Sequence, residues 1–206
     1  MPINLTLLMH QDVRAISSGH QTNAVSIKLL DIETPGRIRG IHPKYNYISV
    51  DFTGKECKAE VCIYTDGSKT ENHVGAAMVA LKDSREIQIE IKRLKKECSV
   101  FQAELCGIKT AIDWIQSSKS ETSYAIYVDS TSALHAIANK HTRHPLAVEI
   151  RTKTIELSRS TTITYHWVKG HAGVQGNERA DYLVRCRVLM TLTASCHFFI
   201  VSSLTI

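Results

Sequence analysis

The 206-residue chain has few residues that break regular structure, with ten Gly and four Pro, and only 6 % of it is aromatic. This composition excludes a collagen-like or low-complexity chain. The absence of a sustained heptad or of a longer repeat excludes a coiled coil and a solenoid. The six Cys form no C-x-x-C pair, so the usual spacing of zinc ligands is missing. His141 and His144 are the nearest approach to a zinc motif.

The N-terminal residues lack the basic start and the long apolar run of a signal peptide. We therefore expect an intracellular protein, in the cytoplasm or the nucleus, whose cysteines are reduced. Hydrophobic residues make up 43 % of the chain and charged residues 22 %, which is enough apolar material for a packed core. The net charge of +5 permits a polyanionic partner without requiring one, because nucleic-acid binding depends on how basic residues are distributed.

Three segments of the chain differ in their patterns. Residues 1–57 contain no long periodic run and are interrupted by Gly and Pro, which predicts a weakly structured leader. Residues 58–188 carry the regular patterns of a folded domain. The C-terminal tail, residues 189–206, has no charged residue and is largely apolar. Its Ser, Thr and His residues favour a strand-like or disordered extension over a membrane anchor, so we do not expect a membrane partner.

Within residues 58–188, hydrophobic patterns predict three strands, a helix, a fourth strand, two helices, a fifth strand and a last helix. In the third strand Ile87, Ile89 and Ile91 alternate with polar residues, which predicts one buried and one solvent-exposed face. Helices that alternate with the later strands indicate crossover connections. We therefore predict an α/β fold with a five-stranded mixed sheet, three antiparallel strands followed by two parallel ones, flanked by helices.

Capping residues indicate where three of the helices begin. Ser99 is followed three residues later by Gln102, which is the spacing of a capping box, and an amphipathic pattern follows. Ser130 or Thr131 can cap the helix after the fourth strand. Asn177 fits the start of the last helix.

Three acidic residues occupy positions where burial makes a charge costly. Asp66 and Asp129 each end an apolar strand, and Glu104 adjoins the apolar stripe of the long helix. Each of them taken alone fits a strand-end cap or a surface acid. Together they predict a cluster, because neighbouring parallel strands end at the same edge of a sheet and a helix across the sheet can bring Glu104 there. Clustered carboxylates repel one another unless divalent cations hold them, so we predict a Mg²⁺ or Mn²⁺ site with Asp181 as a fourth ligand. Two metal ions on such a cluster suit in-line attack of water on a phosphodiester.

Four short motifs carry these acids in a fixed order. They are Asp66-Gly67-Ser68, Gln102-Ala-Glu104-Leu, Tyr127-Val-Asp129-Ser130, and Trp167-Val-Lys-Gly-His171 with Asn177-Glu-Arg-Ala-Asp181. In order and spacing the motifs resemble type-1 ribonuclease H (RNase H), and the resemblance covers residues 58–188. It implies the RNase H-like fold and an endonuclease that cuts the RNA strand of RNA–DNA hybrids by two-metal-ion catalysis.

The resemblance also implies a role for each acid. Asp66, Glu104, Asp129 and Asp181 would bind two Mg²⁺ ions, for which Mn²⁺ can substitute. His171, in a loop flanked by Gly, would assist proton transfer or product departure. We therefore predict these five residues as the catalytic set.

The residues predicted to contact nucleic acid are Ser68, Lys92, Arg93, Lys95, Lys96, Ser99 and Asn177. The basic run 92–96 fits a solvated turn between strand and helix as well as it fits contacts to phosphates. In the family that the motifs resemble, a Ser or Thr at the position of Ser99 lies near a DNA phosphate, and a polar side chain near Asn177 supports the site. Thr131 stands where many members have a Gln that contacts the RNA 2′-hydroxyl, which implies weaker reading of the minor groove.

The motif segments resemble most closely the RNase H domains of arthropod-type non-LTR retrotransposon polyproteins. That resemblance implies a retroelement origin, a reverse transcriptase supplied separately as a candidate partner, and no small-molecule substrate. Two alternatives stay open. One is an inactive retrotransposon-derived relic that keeps the fold and binds nucleic acid weakly. The other is a nuclease of the same fold with a different substrate, such as an exonuclease or an integrase, which the segment 167–181 disfavours.

Overall fold

The structure, a computed structural model, describes residues 47–55, 57–118 and 122–190. Most of the predicted leader, residues 1–46, and the tail from residue 191 onward lie outside the described residues, so both stay predictions. Within the described part of the chain, no helix combines the length and the hydropathy needed to cross a bilayer.

Strands and helices follow one another in the predicted order. The strands of the described residues are β1 (Val50–Asp51), β2 (Val61–Lys69), β3 (Val74–Lys82), β4 (Arg85–Leu94), β5 (Ser123–Val128) and β6 (Thr162–Trp167). The helices are α1 (Val100–Ser118), α2 (Thr131–Ala138), α3 (Pro145–Leu157) and α4 (Gln175–Met190). From β2 onward the succession matches the prediction, and the α/β class is confirmed.

The sheet has mixed strand orientation, with strand order β1-β6-β5-β2-β3-β4. β2, β3 and β4 pair antiparallel, whereas β5 pairs parallel with both β2 and β6. The predicted number of five strands was one too low. The additional strand β1 pairs parallel with β6 and places Val50 opposite Tyr165 and Asp51 opposite His166. Two residues are too few to show a periodic pattern, which is why hydrophobicity alone missed β1.

Helices cover the middle of the sheet more completely than its edge strand β4. Both α1 and α4 pack mainly on β2 and β3, and β3 is buried continuously from Val74 to Ala80. By contrast, Ile87 and Ile89 of β4 are 44 % and 37 % exposed. The prediction that the isoleucine face of this strand is buried was therefore wrong. An edge strand that extends past its covering helices leaves both of its faces open to solvent.

The main hydrophobic core lies between α1 and the sheet. Ile63 of β2, Met78 of β3 and Ile126 of β5 are fully buried together with Leu105 and Ile108 of α1. The apolar stripe predicted for α1 is therefore the face that contacts the sheet. Because α1 packs mainly on β2, it lies beside the part of that strand where β2 and β5 run parallel.

Capping residues fix the starts of α1 and α2. The Ser99 backbone N–H donates to Gln102 Oε1 at 2.8 Å, and the Gln102 backbone N–H donates to Ser99 Oγ at 3.2 Å. The predicted capping box is confirmed. For α2 the N-cap is Ser130, whose Oγ accepts a hydrogen bond from the Ala133 backbone N–H at 3.3 Å, while Thr131 is the first helical residue. Both helices thus begin where these local signals predict.

Candidate active site

Direct backbone contact between β2 and α1 brings Asp66 and Glu104 together. Gly67, the residue after Asp66, lies against α1 so closely that a Cβ atom there would be 2.3 Å from the backbone nitrogen of Glu104. The backbones of β2 and α1 can approach each other this closely only because glycine has no side chain. The helix residue that contacts Gly67 is Glu104 itself, so its side chain begins next to that of Asp66.

The register of the parallel strands adds Asp129 to this pair. Thr65 of β2 lies opposite Val128, the last residue of β5, so Asp129 follows the end of β5 beside Asp66. Asp66 itself lies inside β2, which stays paired with β3 as far as Lys69, so the prediction that this residue ends its strand was wrong. One carboxylate oxygen from each of Asp66, Glu104 and Asp129 lies within 4.8 Å of the others. Asp66 is 6 % exposed and Glu104 7 %, while Asp129 is half-buried. We refer to these three residues as the buried carboxylate cluster.

Burial and mutual repulsion disfavour the charged forms of this cluster. Burial, with the charges of Asp129 and Asp181, raises the pKa of Asp66 to about 7. Burial, with the charges of Asp66 and Asp129, raises the pKa of Glu104 to about 9. A hydrogen bond from the Gly67 backbone N–H opposes both shifts. The pKa of Asp129 is raised as well, again mainly by burial.

Two buried oxygens of the cluster have no hydrogen-bond partner among the described residues. They are Asp66 Oδ2 and Glu104 Oε2. An unpartnered carboxylate oxygen inside a protein is costly, and such atoms usually have a protein group, a water or an ion as partner. Three convergent carboxylates with free oxygens form the hard donor set that divalent cations such as Mg²⁺ or Mn²⁺ prefer. The residues present therefore fit a divalent metal site.

Groups from β6 and the following loop hold Asp129. The Trp167 indole Nε1–H donates to the backbone carbonyl of Asp129 at 3.1 Å. At Gly170 a Cβ atom would lie 2.9 Å from Asp129 Oδ2, so any side chain at this position would press on the carboxylate. The sequence analysis did not identify Trp167 or Gly170 as supports of the site. Both residues belong to the motif Trp167–His171, but the sequence analysis used that motif only to identify His171.

Asn177 supports Asp129 and does not cap a helix. Helix α4 begins at Gln175, two residues earlier than expected, so the capping interpretation was wrong. Instead, the 2 % exposed Asn177 donates from Nδ2 to Asp129 Oδ2 at 3.4 Å. The earlier start is possible because Gly176 lies flat on the ring of Tyr64, where a Cβ atom would come within 2.3 Å of ring carbons. Nucleic-acid binding by Asn177 stays a prediction.

Asp181 and His171 form a second, more exposed group at the same edge of the sheet. Asp181 Oδ1 accepts a hydrogen bond from Arg185 Nε at 2.6 Å, and Asp181 Oδ2 lies 4.0 Å from His171 Nδ1. His171 has a positive φ of 52° and a side chain that is 65 % exposed. Arg185 was missed by the sequence analysis, although its position four residues after Asp181 on a helix is the signal for such an ion pair.

The residues predicted to contact nucleic acid lie on the surface around the start of α1. Lys92, Arg93, Lys95, Lys96 and Ser99 are all exposed, in the end of β4 and the turn that follows it, and Ser68 is half-buried in β2. Lys92 Nζ lies 3.0 Å from Glu90 Oε2 on the same strand. Exposure of the basic run agrees with both interpretations, a solvated turn and a phosphate-binding surface.

A mixed sheet of this strand order, with carboxylates from two neighbouring parallel strands and a covering helix gathered in one cluster, places the domain in the RNase H-like class of α/β folds. The family model for RNase H matches residues 58–188. The chain is 32 % identical to a ribonuclease H of Francisella philomiragia over 138 residues, which cover 61 % of this chain and 89 % of that protein. It is 28 % identical to a ribonuclease H of Bradyrhizobium diazoefficiens over 137 residues, 61 % of this chain and 87 % of that protein. A stretch of 38 residues, 18 % of this chain, is 58 % identical to part of a ribonuclease H of Maricaulis maris, 26 % of that protein. The chain belongs to the RNase H family.

Proposed function

We propose that this chain is an endoribonuclease that hydrolyses the RNA strand of RNA–DNA hybrids with two divalent metal ions, Mg²⁺ or Mn²⁺. The observation that carries the proposal is the buried carboxylate cluster, in which Asp66 Oδ2 and Glu104 Oε2 have no partner among the described residues. Membership of the RNase H family and the ribonuclease H relatives support the reaction class and the hybrid substrate.

Asp66, Glu104 and Asp129 would hold the ions, and Asp181 would complete the set of ligands. When bound, the ions supply polarisation of the phosphodiester and activation of the attacking water. The protein prepares the site in advance, because the Gly67 N–H donates to the carboxylates of Asp66 and Glu104. Fixed ligands of this kind need little reorganisation during the reaction.

His171 is the proton-transfer residue in this proposal. Its ring is exposed, and it lies in a loop with Gly170 on one side and Gly173 two residues later. Its Nδ1 faces Asp181 Oδ2 at 4.0 Å, so the carboxylate can orient the ring. A histidine held in this way can deliver a proton to the departing 3′-oxygen and help the product to leave.

Substrate binding is assigned to the exposed basic run and the start of α1. Lys92, Arg93, Lys95 and Lys96 would contact phosphates, which position a duplex without specifying its sequence. Selection of a ribose strand requires contact with the 2′-hydroxyl. Thr131, exposed at the first residue of α2 and two residues after Asp129, would make this contact, and its short side chain implies weak reading of the minor groove.

We further propose that the domain derives from a retroelement and works with a reverse transcriptase supplied separately. The support is the resemblance of its motif segments to the RNase H domains of arthropod-type non-LTR retrotransposon polyproteins. A reverse transcriptase without RNase H activity should then increase hybrid cleavage at low enzyme concentration. Tight hybrid binding by the chain alone, unchanged by the added polymerase, would contradict this part. The inactive relic is disfavoured because all five residues of the predicted catalytic set are present.

The test of the activity is cleavage of an end-labelled RNA–DNA hybrid, with double-stranded DNA of the same sequence as the control substrate. We expect cleavage of the RNA strand with Mg²⁺ or Mn²⁺, none with excess EDTA, and products with 3′-hydroxyl and 5′-phosphate ends. The variant Asp129→Asn should reduce cleavage to background. Asp83→Asn makes the same chemical change in the exposed turn between β3 and β4 and should cleave like the parent. Cleavage by Asp129→Asn at the parental rate, or by the parent in EDTA, overturns the proposal.

A further inference from the structure

Asp181 differs from the other three acids because a cation of the protein already binds it. Arg185 Nε lies 2.6 Å from Asp181 Oδ1, and the arginine side chain is 56 % exposed. The oxygens of Asp66, Glu104 and Asp129 that lie within 4.8 Å of one another form a group without Asp181. A divalent ion that uses Asp181 as a ligand must therefore displace the guanidinium or share the carboxylate with it.

We propose that Arg185 is a positioning residue that competes with a divalent cation for Asp181 and thereby sets the metal concentration at which this fourth carboxylate joins the site. The inference rests on the proposed function, because it assumes that divalent ions bind the carboxylates. It assigns to Arg185 a role in metal dependence and no contact with the substrate or the reacting atoms.

The charge of Arg185 extends to the buried carboxylate cluster. Burial and the charges of Asp129 and Asp181 raise the pKa of Asp66, and Arg185 acts in the opposite direction. The guanidinium is therefore close enough to the cluster to offset part of the negative charge of Asp66 as well as that of Asp181. A bound divalent ion makes this compensation unnecessary and repels Arg185, so the metal and the arginine weaken each other's binding to Asp181.

The ion pair is weak enough to be displaced. The arginine of this pair is open to solvent, whereas Asp181 is 15 % exposed. A solvent-accessible Asp–Arg pair four residues apart on a helix shifts an equilibrium by no more than about fivefold. A divalent ion on several carboxylates binds with a much larger free energy than this. Arg185 therefore delays the engagement of Asp181 and does not prevent it.

Release of Arg185 also affects His171. The Arg185 Nη2 atom lies 3.4 Å from His171 Nε2, while His171 Nδ1 faces Asp181. One guanidinium thus contacts both the fourth carboxylate and the proton-transfer histidine. When the metal displaces Arg185 from Asp181, His171 loses a neighbour at Nε2, and that nitrogen becomes available to the substrate. Metal engagement and histidine availability are coupled through one side chain.

Arg179 offers a matched control on the same helix. It binds Glu86 of β4 with Nε–Oε1 and Nη2–Oε2 distances of 2.8 and 3.3 Å. This ion pair joins α4 to the edge strand, and the structure shows no contact between Arg179 and the four acids. Arg179→Gln removes the same positive charge and the same kind of ion pair as Arg185→Gln, but at a position directed away from the site.

The experiment measures Mg²⁺ and Mn²⁺ binding to the full chain by calorimetry without nucleic acid, and the melting temperature as the metal is added. Compared with the parent, Arg185→Gln should lower the metal concentration that fills the weaker site by about twofold to fivefold. Arg179→Gln should leave it unchanged. In an Asp181→Asn background, Arg185→Gln should have no further effect, because the carboxylate for which the two cations compete has been removed.

Equal metal binding by Arg185→Gln and Arg179→Gln overturns the inference, and so does an effect of Arg185→Gln that persists without Asp181. If Arg185→Gln does not fold, Arg185→Lys replaces it. Lysine keeps the positive charge but lacks the planar guanidinium with its several donors. We therefore expect a smaller decrease in the metal concentration that fills the weaker site, and no decrease overturns the inference. Absence of divalent binding by the parent itself contradicts the proposed function, which distinguishes the two failures.

Discussion

The two halves of the site are built by different physical means. Asp66, Glu104 and Asp129 come from three different elements and are joined by the contact of β2 with α1 and by the parallel register of β2 and β5. Asp181 and His171 come from one helix and the loop before it, and Arg185 of the same helix binds both. In the first group Asp66 and Glu104 are buried and have unpartnered oxygens. In the second, the half-buried Asp181 is paired with exposed side chains.

The packing of the fold fixes the positions of the first group, whereas the side chains of the second group can rearrange. Carboxylates joined by packed backbone cannot move apart without loss of the core contact, so their repulsion is a cost that the folded domain carries. The solvent-exposed side chain of Arg185 can change partners at little cost. We infer that the buried carboxylate cluster holds its geometry at all times, whereas the Asp181 group adjusts when metal and substrate bind.

Gly67→Ala should produce the largest effect, because it breaks the contact that joins the cluster. A Cβ atom 2.3 Å from the Glu104 nitrogen must push α1 away from β2. We expect hybrid cleavage to fall by at least about 100-fold and the free energy of unfolding to decrease by about 1–3 kcal/mol. Cleavage rates and urea unfolding curves measure the two effects.

The control for this prediction is Gly54→Ala. Gly54 has a positive φ of 73°, but an added Cβ atom would meet nothing nearer than 4.0 Å. This variant should lose about 1 kcal/mol of stability from backbone strain and keep its activity. If Gly67→Ala cleaves as well as Gly54→Ala, the buried half of the site does not depend on the packing of β2 against α1.

His171→Ala tests the exposed half of the site. Loss of proton-transfer assistance should slow turnover by about 10²–10⁴-fold. Because His171 is exposed and packs on no core residue, the melting temperature should stay within 1–2 °C of the parental value, roughly the range of neutral surface changes. Metal binding measured by calorimetry should also change little, since the cluster is unaffected. A variant with parental turnover would show that the loop has no catalytic part.

The pH dependence of stability should distinguish the two halves. The folded-state pKa of Glu104 is raised to about 9 and that of Asp66 to about 7, far above the values of about 4 in an unfolded chain. At pH values between the unfolded-state and folded-state pKa values of these acids, the folded state binds more protons than the unfolded state. The free energy of unfolding must therefore fall as pH rises through this range. In a buffer with EDTA, we expect the melting temperature to decrease steadily from pH 5 to about pH 9. In Glu104→Gln the decrease should be smaller and should end near pH 7. A melting temperature that rises over this range would contradict the burial of these acids.

The sequence predicted those features that depend on local spacing. The capping box of Ser99 and Gln102 needs only residues three apart, and it is present in the structure. The approach of Asp66 to Asp129 follows from the geometry of parallel strands, which the order of strands and helices already indicated. The long, regular elements and the starts of α1 and α2 were therefore accessible without a structure.

Features that depend on distant contacts were not predicted. Nothing local marks β1, because its two residues pair only where β6 leaves a free edge. The alternation in β4 indicated a buried face, yet Ile89 is 37 % exposed because the helices end short of that edge. Asn177 was interpreted as a cap because its residue type suits one, whereas packing of Gly176 on a distant tyrosine moves the helix start. In each case a tertiary contact overrode a local preference.

Asp129→Asn tests whether repulsion in the cluster destabilises the folded domain. The substitution preserves the shape of the side chain and removes a charge that raises the pKa of both Asp66 and Glu104. In EDTA near neutral pH, we therefore expect the variant to melt about 2–4 °C higher than the parent, the shift that roughly 1 kcal/mol causes in a domain of this size. Added Mg²⁺ should stabilise the variant less than the parent, because stabilisation by a ligand follows its affinity for the folded state. Asp83→Asn, in an exposed turn, controls for the chemical change itself and should alter neither value. A lower melting temperature of Asp129→Asn in EDTA would mean that the hydrogen bond from Asn177 outweighs the repulsion. In that case Asp129 would be a structural strand-end group, and the contrast between a strained buried half and a relaxed exposed half would not hold.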